Sequence, residues 1–215
     1  MSTFSVKFIL CLTFSYLLGC INPAYILGRL KGIDIRNHGS GNAGATNAMI
    51  VFSRPVGFAI GVLDALKAAV SWWVSAAVLR DFPIAGPACA VACSFGHMFP
   101  VTMGFRGGKG FACLLGTALA YDPKALFTLI FFAFFTALLS RYLCVATTSS
   151  AVAFPLYYWI RTAFMPGALV LALPAIPIFL KHIENFRRIR KKTEAHFSAL
   201  WNKQKEMDRI AAIEE

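Results

Sequence analysis

Seven apolar stretches dominate this 215-residue sequence and restrict it to folds whose helices lie in a membrane. They run over residues 8–28, 56–79, 84–103, 111–121, 125–143, 146–160 and 167–181. A helix needs about 20 mostly apolar residues to cross the hydrocarbon layer, and several of these stretches reach that length. The sequence therefore predicts an all-α, polytopic integral membrane protein with about seven helices. The stretch 111–121 is too short for a full crossing, which leaves a half-span, a re-entrant piece or a helix extended by its neighbours.

Composition excludes an ordinary soluble enzyme. Apolar residues make up 58% of the chain and charged residues 14%, against roughly 45–50% and about 25% in soluble domains. The length leaves no room for a further extramembrane domain of useful size, so we expect one transmembrane domain over 1–183 and a basic tail over 184–215. The net charge of +11 favours anionic lipid or phosphorylated substrates over nucleic acid in such a chain.

The cysteines lie in apolar stretches without a paired ligand spacing, and we expect small buried hydrophobic residues rather than disulfides or zinc ligands. The six are Cys11, Cys20, Cys89, Cys93, Cys113 and Cys144. No metal site is expected from the sequence.

If every apolar stretch crosses the membrane, the connections alternate between its two sides, and most basic residues fall on one side. One side receives Arg29, Lys31, Arg36, Arg54, Arg106, Lys109, Arg141 and the tail cations between 187 and 192. The other side receives Lys7, Arg80, Lys124 and Arg161. The positive-inside rule then places the N-terminus outside and the tail in the cytoplasm. The same assignment puts both glycine-rich loops described below on the cytoplasmic side, where phosphorylated metabolites are.

The first glycine-rich loop has the sequence HGSGNAGATNA, residues 38–48, and precedes a short helical stretch. Glycines let successive backbone N–H groups point at one centre, and short polar side chains add donors, which is typical of an anion-binding nest at a helix N-terminus. A turn in which Asn and Thr cap a helix explains the same composition. The polar side chains are Ser40, Asn42, Thr46 and Asn47, and the glycines are Gly39, Gly41 and Gly44.

The second glycine-rich loop has the sequence GFRGGKG, residues 104–110, and carries Arg106 and Lys109. It is not a Walker motif, because Met103 stands where that motif needs Gly and Gly110 where it needs Ser or Thr. We therefore expect no nucleotide. The two cations suit a phosphate or an acyl-phosphate, while a flexible positive-inside loop is the plain alternative.

Polar residues also occur within and at the end of apolar stretches. His182 and Asn185 are spaced i, i+3 where the last stretch ends, so they face the same way and can orient a hydroxyl or contact a phosphate. Asp64 and Lys67 have the same spacing inside the second stretch, where an unpaired charge costs about 2.5–3.5 kcal/mol, so we expect an ion pair. His97, between the third and fourth stretches, is expected to pack or support the site.

These motifs, in this order on a small basic membrane protein, resemble the bacterial acyl-phosphate-dependent glycerol-3-phosphate acyltransferases, the PlsY family. The resemblance extends over most of the chain. It is carried by SGNAGATN (40–47), DALK (64–67), GHMFP (96–100), FRGGKGFA (105–112), and HIEN (182–185) followed by TE (193–194).

The resemblance implies transfer of a fatty acyl group from acyl-phosphate to the 1-position of glycerol 3-phosphate. The products are lysophosphatidic acid and phosphate, in the first acylation step of phospholipid synthesis. It implies no covalent acyl-enzyme, no cofactor, no metal, no nucleotide and no nucleic acid. The expected location is the bacterial inner membrane, with a groove facing the cytoplasm and open sideways to lipid.

The resemblance also implies roles for individual residues. The catalytic residues are Ser40, Lys109, His182 and Asn185. The phosphate-binding residues are Ser40, Gly41, Asn42, Gly44, Thr46, Asn47, Arg54, Arg106, Gly107, Gly108 and Gly110. Supporting roles go to Asp64, Lys67, His97 and Glu194. Of these, Glu194 would help close the cytoplasmic face. Family members usually carry Arg where Ile50 stands, and Arg54, one helical turn later, is the expected replacement.

Three alternatives belong to other classes. An acyltransferase of the His-x4-Asp type is excluded, because Ala43, Thr102, Arg187 and Trp201 stand five residues after the four histidines. An organic-anion transporter also uses glycine-broken helices and buried charges, but such transporters commonly have internal repeats and bind substrate at the membrane midplane. This sequence has no internal repeat, and its polar motifs collect at one membrane face. A lipid-anchoring protein would explain the basic tail and leave the two glycine-rich loops without a purpose.

Overall fold

The computed structural model describes residues 3–200, 202, 208, 210, 211 and 213, and this part of the chain is helical throughout its regular structure. The α-helices are α1 (Thr3–Cys20), α2 (Pro23–Leu30), α3 (Ala45–Val51), α4 (Arg54–Val78), α5 (Ala85–Met98), α6 (Phe111–Tyr121), α7 (Pro123–Ser140), α8 (Leu143–Thr162), α9 (Met165–Ala172) and α10 (Ala175–Arg190). Short 3-10 turns occur at Ile35–Asn37, Val101–Met103 and Phe197–Leu200.

The predicted all-α membrane architecture is confirmed, since each of the seven apolar stretches contains a helix or a pair of helices joined by a short break. Among the described residues, four helical segments are long and apolar enough to cross a membrane: 54–78, 123–140, 143–162 and 165–190. The pair α1–α2 meets the same criteria only when its two helices are taken together as one broken segment. As the sequence indicated, α6 is short: its 11 residues extend about 16 Å, roughly half of the hydrocarbon thickness.

The first membrane segment is broken at Pro23, where the axes of α1 and α2 meet at 42°. Proline has no backbone N–H and is favoured in the first turn of a helix, so α2 starts there. Asn22 caps the new helix, since its side-chain oxygen accepts from the backbone N–H of Tyr25 at 2.8 Å. The carbonyls of Gly19 and Ile21, beside the break, accept from the Lys67 ammonium at 3.1 and 2.8 Å.

A buried polar cluster joins α4 and α5 next to this break. Lys67 Nζ lies 2.7 Å from Asp64 Oδ1, which confirms the expected i, i+3 ion pair. His97 Nδ1 lies 3.3 Å from the same carboxylate oxygen and 3.0 Å from Lys67 Nζ. The exposed fractions are 1% for Asp64, 7% for Lys67 and 3% for His97, so the three groups pair away from solvent through Asp64 Oδ1, while the buried Oδ2 has no hydrogen-bond partner among the described residues.

Small residues allow the helices to approach closely. A Cβ atom on Gly116 would lie 1.8 Å from the backbone oxygen of Ala65 in α4. Added Cβ atoms on Gly19 and Gly96 would each lie 2.1 Å from a backbone oxygen of the facing helix, α5 and α1 respectively. The six cysteines are all buried and free, as expected of small core residues.

Both glycine-rich loops lie at one end of the bundle. Arg36 Nη1, next to the first loop, donates to the backbone oxygen of Met103 before the second loop, at 2.8 Å. Lys109 in the second loop reaches Asn185 near the end of α10. At the opposite end, the ring of Phe82 packs edge-on against Phe4 of α1 at 4.9 Å between ring centroids.

The chain after α10 folds back over the end of the bundle that carries the two glycine-rich loops. The division expected at residue 183 falls inside α10, which continues to Arg190. The backbone N–H of Phe197 donates to the oxygen of Arg141 at 2.6 Å, and the Phe197 ring packs edge-on against Phe134 at 6.0 Å. Residues 191–198 therefore cover the turn between α7 and α8. Most of the expected tail beyond residue 200 lies outside the described residues.

The Asp64–Lys67 pair gives a stability prediction. Lys67→Met leaves the buried Asp64 carboxylate without its cation, which should lower the free energy of unfolding by about 3–5 kcal/mol. We expect a clearly lower midpoint of thermal unfolding in detergent. Arg80→Met, which removes an exposed cation, should leave the midpoint unchanged, and Asp64→Asn combined with Lys67→Met should recover part of the loss. An unchanged midpoint for Lys67→Met alone would contradict this account of the cluster.

Candidate active site

Asn47 holds the first glycine-rich loop in shape. Its side-chain oxygen accepts from the Ser40 backbone N–H at 2.7 Å, and its amide nitrogen donates to the oxygens of Ile35 and His38 at 3.0 and 2.9 Å. The side chain is fully buried. Gly39 has φ +59°, and a Cβ there would lie 2.2 Å from Asn47 Oδ1, so only glycine fits. Asn47 therefore positions the loop, while Ser40, Gly41 and Asn42 present it to the outside.

Asn22 ties the same loop to the break in the first membrane segment. Besides capping α2, its side-chain amide donates to the backbone oxygen of Ala43 at 2.9 Å, and it is 1% exposed. Sequence reasoning missed this residue. The available signal was the Asn-Pro pair, which marks a helix start but not a contact with a distant loop.

Arg36 connects the two loops from the outer side. Its guanidinium pairs with Asp34 through two nitrogens, with Nη2–Oδ2 at 2.7 Å and Nε–Oδ1 at 3.0 Å. This pairing lowers the pKa of Asp34 to about 2. Arg36 also stacks on the Tyr25 ring at 4.8 Å and donates to Met103, as described above. In the sequence this residue contributed only to the count of basic residues on one side.

The second glycine-rich loop rests on His97. The backbone N–H groups of Gly107 and Gly108 donate to the oxygens of Met98 and His97 at 3.2 and 3.1 Å. A Cβ on Gly108 would lie 2.1 Å from His97 Nε2, so the imidazole needs a glycine above it. The buried Asp64–Lys67–His97 cluster thus supports this loop directly.

Lys109 extends from that loop into a chain of polar contacts. Its ammonium donates to Asn185 Oδ1, and Asn185 Nδ2 donates to Glu194 Oε1 at 2.6 Å. The other Glu194 oxygen accepts from Arg188 Nε at 2.7 Å. Burial lowers the pKa of Lys109, because desolvation disfavours the charged form. The chain links the second loop, the end of α10 and the segment that follows it.

The two loops and α10 enclose a polar cleft of about 210 Å³. Its lining residues are Ser40, Gly41, Asn42, Lys109, Lys181, Glu184, Asn185 and Arg188. The structure thus brings together five residues that the sequence singled out and three that it did not. The backbone N–H groups of Ser40 and Gly41 already donate to Asn47 Oδ1 and to the His38 oxygen, at 2.7 and 3.1 Å, so they do not form the expected anion nest. The donors that the cleft can offer a phosphate group are side chains: the Ser40 hydroxyl, the Asn42 amide and the cations opposite them.

The missed lining residues lie on α10. Lys181 and Arg188 stand four residues before and three residues after Asn185, so the helix period around the HIEN motif was the signal that could have found them. Glu184 directly precedes Asn185, and that period does not single it out.

His182 lies beside the cleft rather than among its lining residues. It is 4% exposed, and its Nδ1 lies 2.7 Å from the backbone oxygen of Ile178. Because a carbonyl oxygen only accepts, this contact puts the proton on Nδ1 and leaves a lone pair on Nε2.

Several predicted phosphate ligands do not reach the cleft in the structure. Thr46, Arg54 and Arg106 are exposed and absent from its lining. Gly44 is the residue before α3, and Gly110, with φ +93°, is the residue before α6. Their proposed contacts with substrate stay predictions.

Comparisons with known proteins agree with this architecture. A sequence model described as glycerol-3-phosphate acyltransferase matches residues 9–192. The chain is 34% identical to the glycerol-3-phosphate acyltransferase of Geobacter sulfurreducens over 86% of this chain and 95% of the relative. It is 35% identical to the glycerol-3-phosphate acyltransferase of Sinorhizobium fredii over 87% of this chain and 91% of the relative. It is 31% identical to glycerol-3-phosphate acyltransferase 1 of Oceanobacillus iheyensis over 87% of this chain and 94% of the relative.

Two solved structures are also similar. Both are crystal structures of PlsY, an integral membrane glycerol 3-phosphate acyltransferase. The glycerol 3-phosphate form superposes with a TM-score of 0.81 at 29% identity, and the comparison covers 90% of this chain and 96% of that one. The lysophosphatidic acid form gives a TM-score of 0.75 at 28% identity. The extent of these matches shows that the chain belongs to the glycerol-3-phosphate acyltransferase family.

Proposed function

We propose that the protein transfers a fatty acyl group from an acyl-phosphate to the 1-hydroxyl of glycerol 3-phosphate and releases lysophosphatidic acid and inorganic phosphate. The observation that carries this proposal is the cleft in which the loop Ser40–Asn42 lies opposite Lys109, Lys181 and Arg188. Glycerol 3-phosphate and lysophosphatidic acid are the molecules named for the two similar PlsY structures.

The donor chemistry supports direct transfer. An acyl-phosphate is an activated mixed anhydride, so the protein needs only to align the hydroxyl with the carbonyl carbon and stabilise the developing oxyanion. The new bond joins the glycerol oxygen to the acyl carbon, and the bond from that carbon to the phosphate oxygen breaks. Direct transfer from this activated donor needs no covalent intermediate, so we propose no acyl-enzyme.

The hydroxyl proton has two acceptors that suit this chemistry. One is Nε2 of His182, whose lone pair follows from the bond between Nδ1 and Ile178. The other is a phosphate oxygen of a substrate. Lys109 and Asn185 bind and orient the polar groups in either case, and Glu194 orients Asn185 through its 2.6 Å bond.

We propose that the cleft faces the cytoplasm of a bacterial inner membrane, with the N-terminus outside and the C-terminal segment inside. The basic residues at the end of the bundle that carries both glycine-rich loops support this orientation. The polar acceptor would then arrive from water and the long-chain donor from the bilayer.

A reconstituted assay tests the reaction. The purified protein in lipid is given palmitoyl-phosphate with and without glycerol 3-phosphate, and phosphate release and lysophosphatidic acid are measured without nucleotide or added metal. We expect release that depends on the acceptor, with one lysophosphatidic acid formed per phosphate. Folded protein that shows no acceptor-dependent release would overturn the proposal and favour organic-anion transport, which uptake into proteoliposomes would reveal.

The site assignment gives a second test in the same assay. Ser40→Ala, Lys109→Ala and His182→Ala should each lower turnover at least tenfold, about 1.4 kcal/mol of barrier, without lowering the unfolding midpoint to the same degree as Lys67→Met. Lys31→Ala, which removes an exposed cation outside the cleft, is the control. Near-normal turnover in all three variants would refute the assignment.

The contact between Gly108 and His97 gives a third prediction. Gly108→Ala introduces a methyl group 2.1 Å from His97 Nε2, so the loop carrying Lys109 must shift. We expect at least a tenfold loss of turnover. Gly104→Ala is the matched control, because an added Cβ there meets nothing within 4 Å, although its φ of +60° adds some backbone strain. Near-normal turnover of Gly108→Ala would show that the loop does not depend on this contact.

A further inference from the structure

We propose that Lys181 and Arg188 bind a substrate phosphate group together with Lys109, and that Glu194 positions Arg188 for this role. The inference rests on the proposed function and assigns residues that no motif in the sequence indicated. The shared chemistry is a terminal phosphate group, which glycerol 3-phosphate carries as an ester and acyl-phosphate as a mixed anhydride.

One face of α10 carries the relevant side chains. Lys181, Asn185 and Arg188 are spaced i, i+4 and i+7, so they lie along the same side of the helix. All three line the cleft opposite Ser40 and Gly41. The helix therefore places one cation on each side of the Asn185 amide, which contacts Lys109.

Lys181 is held next to the second glycine-rich loop. Its ammonium lies 3.5 Å from the backbone oxygen of Gly107 and 4.9 Å from the centre of the Phe99 ring. Both contacts favour a positive charge, the second through the negative face of the aromatic ring, whereas burial and the nearby Lys109 ammonium oppose it. A bound phosphate would therefore stabilise the charged form of Lys181 on the cleft wall that also carries Lys109.

Arg188 is oriented by a carboxylate rather than by the helix alone. Its Nε donates to Glu194 Oε2 at 2.7 Å, and the same carboxylate accepts from Asn185. The Arg188 side chain is 37% exposed, so the guanidinium is accessible to a ligand from the cleft. A planar guanidinium fixed on one edge suits a phosphate, which it can bind through two parallel hydrogen bonds.

The cations of the cleft can balance the negative charge of bound phosphate groups. A terminal phosphate group carries about −1.5 to −2 at neutral pH, and the proposed reaction brings two such groups into one cleft. Among the lining residues, the cations Lys109, Lys181 and Arg188 outnumber the one carboxylate, that of Glu184, by three to one. Without Lys181 and Arg188, a single lining cation would remain to balance both phosphate groups.

Steady-state kinetics tests the proposal in the full-length protein in lipid. Arg188→Gln and Lys181→Gln should each raise the KM of at least one substrate tenfold or more, with a smaller change in kcat. One arm varies glycerol 3-phosphate at saturating palmitoyl-phosphate and the other varies palmitoyl-phosphate, so the arms identify which phosphate is bound. Arg188→Lys should recover part of the affinity because it keeps the charge. Arg190→Gln removes a charge from the same helix outside the cleft and is the control.

A binding measurement separates this inference from the proposed reaction. Glycerol 3-phosphate should raise the unfolding midpoint of the unmodified protein, and Arg188→Gln and Lys181→Gln should reduce that rise, even if acyl-phosphate proves not to be the donor. Unchanged KM values in both arms together with an undiminished midpoint rise would overturn the inference. An equal loss in Arg190→Gln would overturn it too, because general surface charge would then be the cause.

Discussion

A positive charge buried in the membrane interior organises this protein. The Lys67 ammonium cannot remain unpaired in an apolar medium, and it meets partners from three directions: Asp64 on its own helix, His97 on α5, and the carbonyls at the end of α1. Those carbonyls are available because Pro23 breaks the first membrane segment. Because the buried charge is stable only with all these partners in contact, it fixes the arrangement of α1, α4 and α5.

The same break determines where the two glycine-rich loops lie. His97, held by the buried pair, supports Gly108 of the second loop, and Asn22, which begins the helix after the break, holds Ala43 of the first loop. Both glycine-rich loops are therefore attached to the same region of the bundle interior. Arg36 adds a bond from beside the first loop to Met103, just before the second loop, so their separation is set from two sides. The proposed reaction would benefit from such preorganisation, because donors held in place need little rearrangement on binding.

Local patterns in the sequence predicted much of this. The apolar stretches predicted the helices, the i, i+3 spacing predicted the Asp64–Lys67 pair, and the glycine-rich motifs predicted the loops that line the cleft. What the sequence could not supply were contacts between distant elements, such as those of Asn22 and Arg36. Charge alone was also a poor guide to location: Arg54 and Arg106 are exposed outside the cleft, whereas Lys181 and Arg188 line it. Which cation faces the site depends on helix rotation, and rotation is set by tertiary packing.

The position of α10 in the chain has a consequence for synthesis. Half of the cleft lining lies on α10, which follows α1 to α9 in the chain: Lys181, Glu184, Asn185 and Arg188. Glu194, which contacts Asn185 and Arg188, comes after α10 itself. A nascent chain that has inserted α1 to α9 has both glycine-rich loops but lacks this half of the lining. Domains fold as their residues emerge from the ribosome, so the cleft is completed only after residue 194 has emerged.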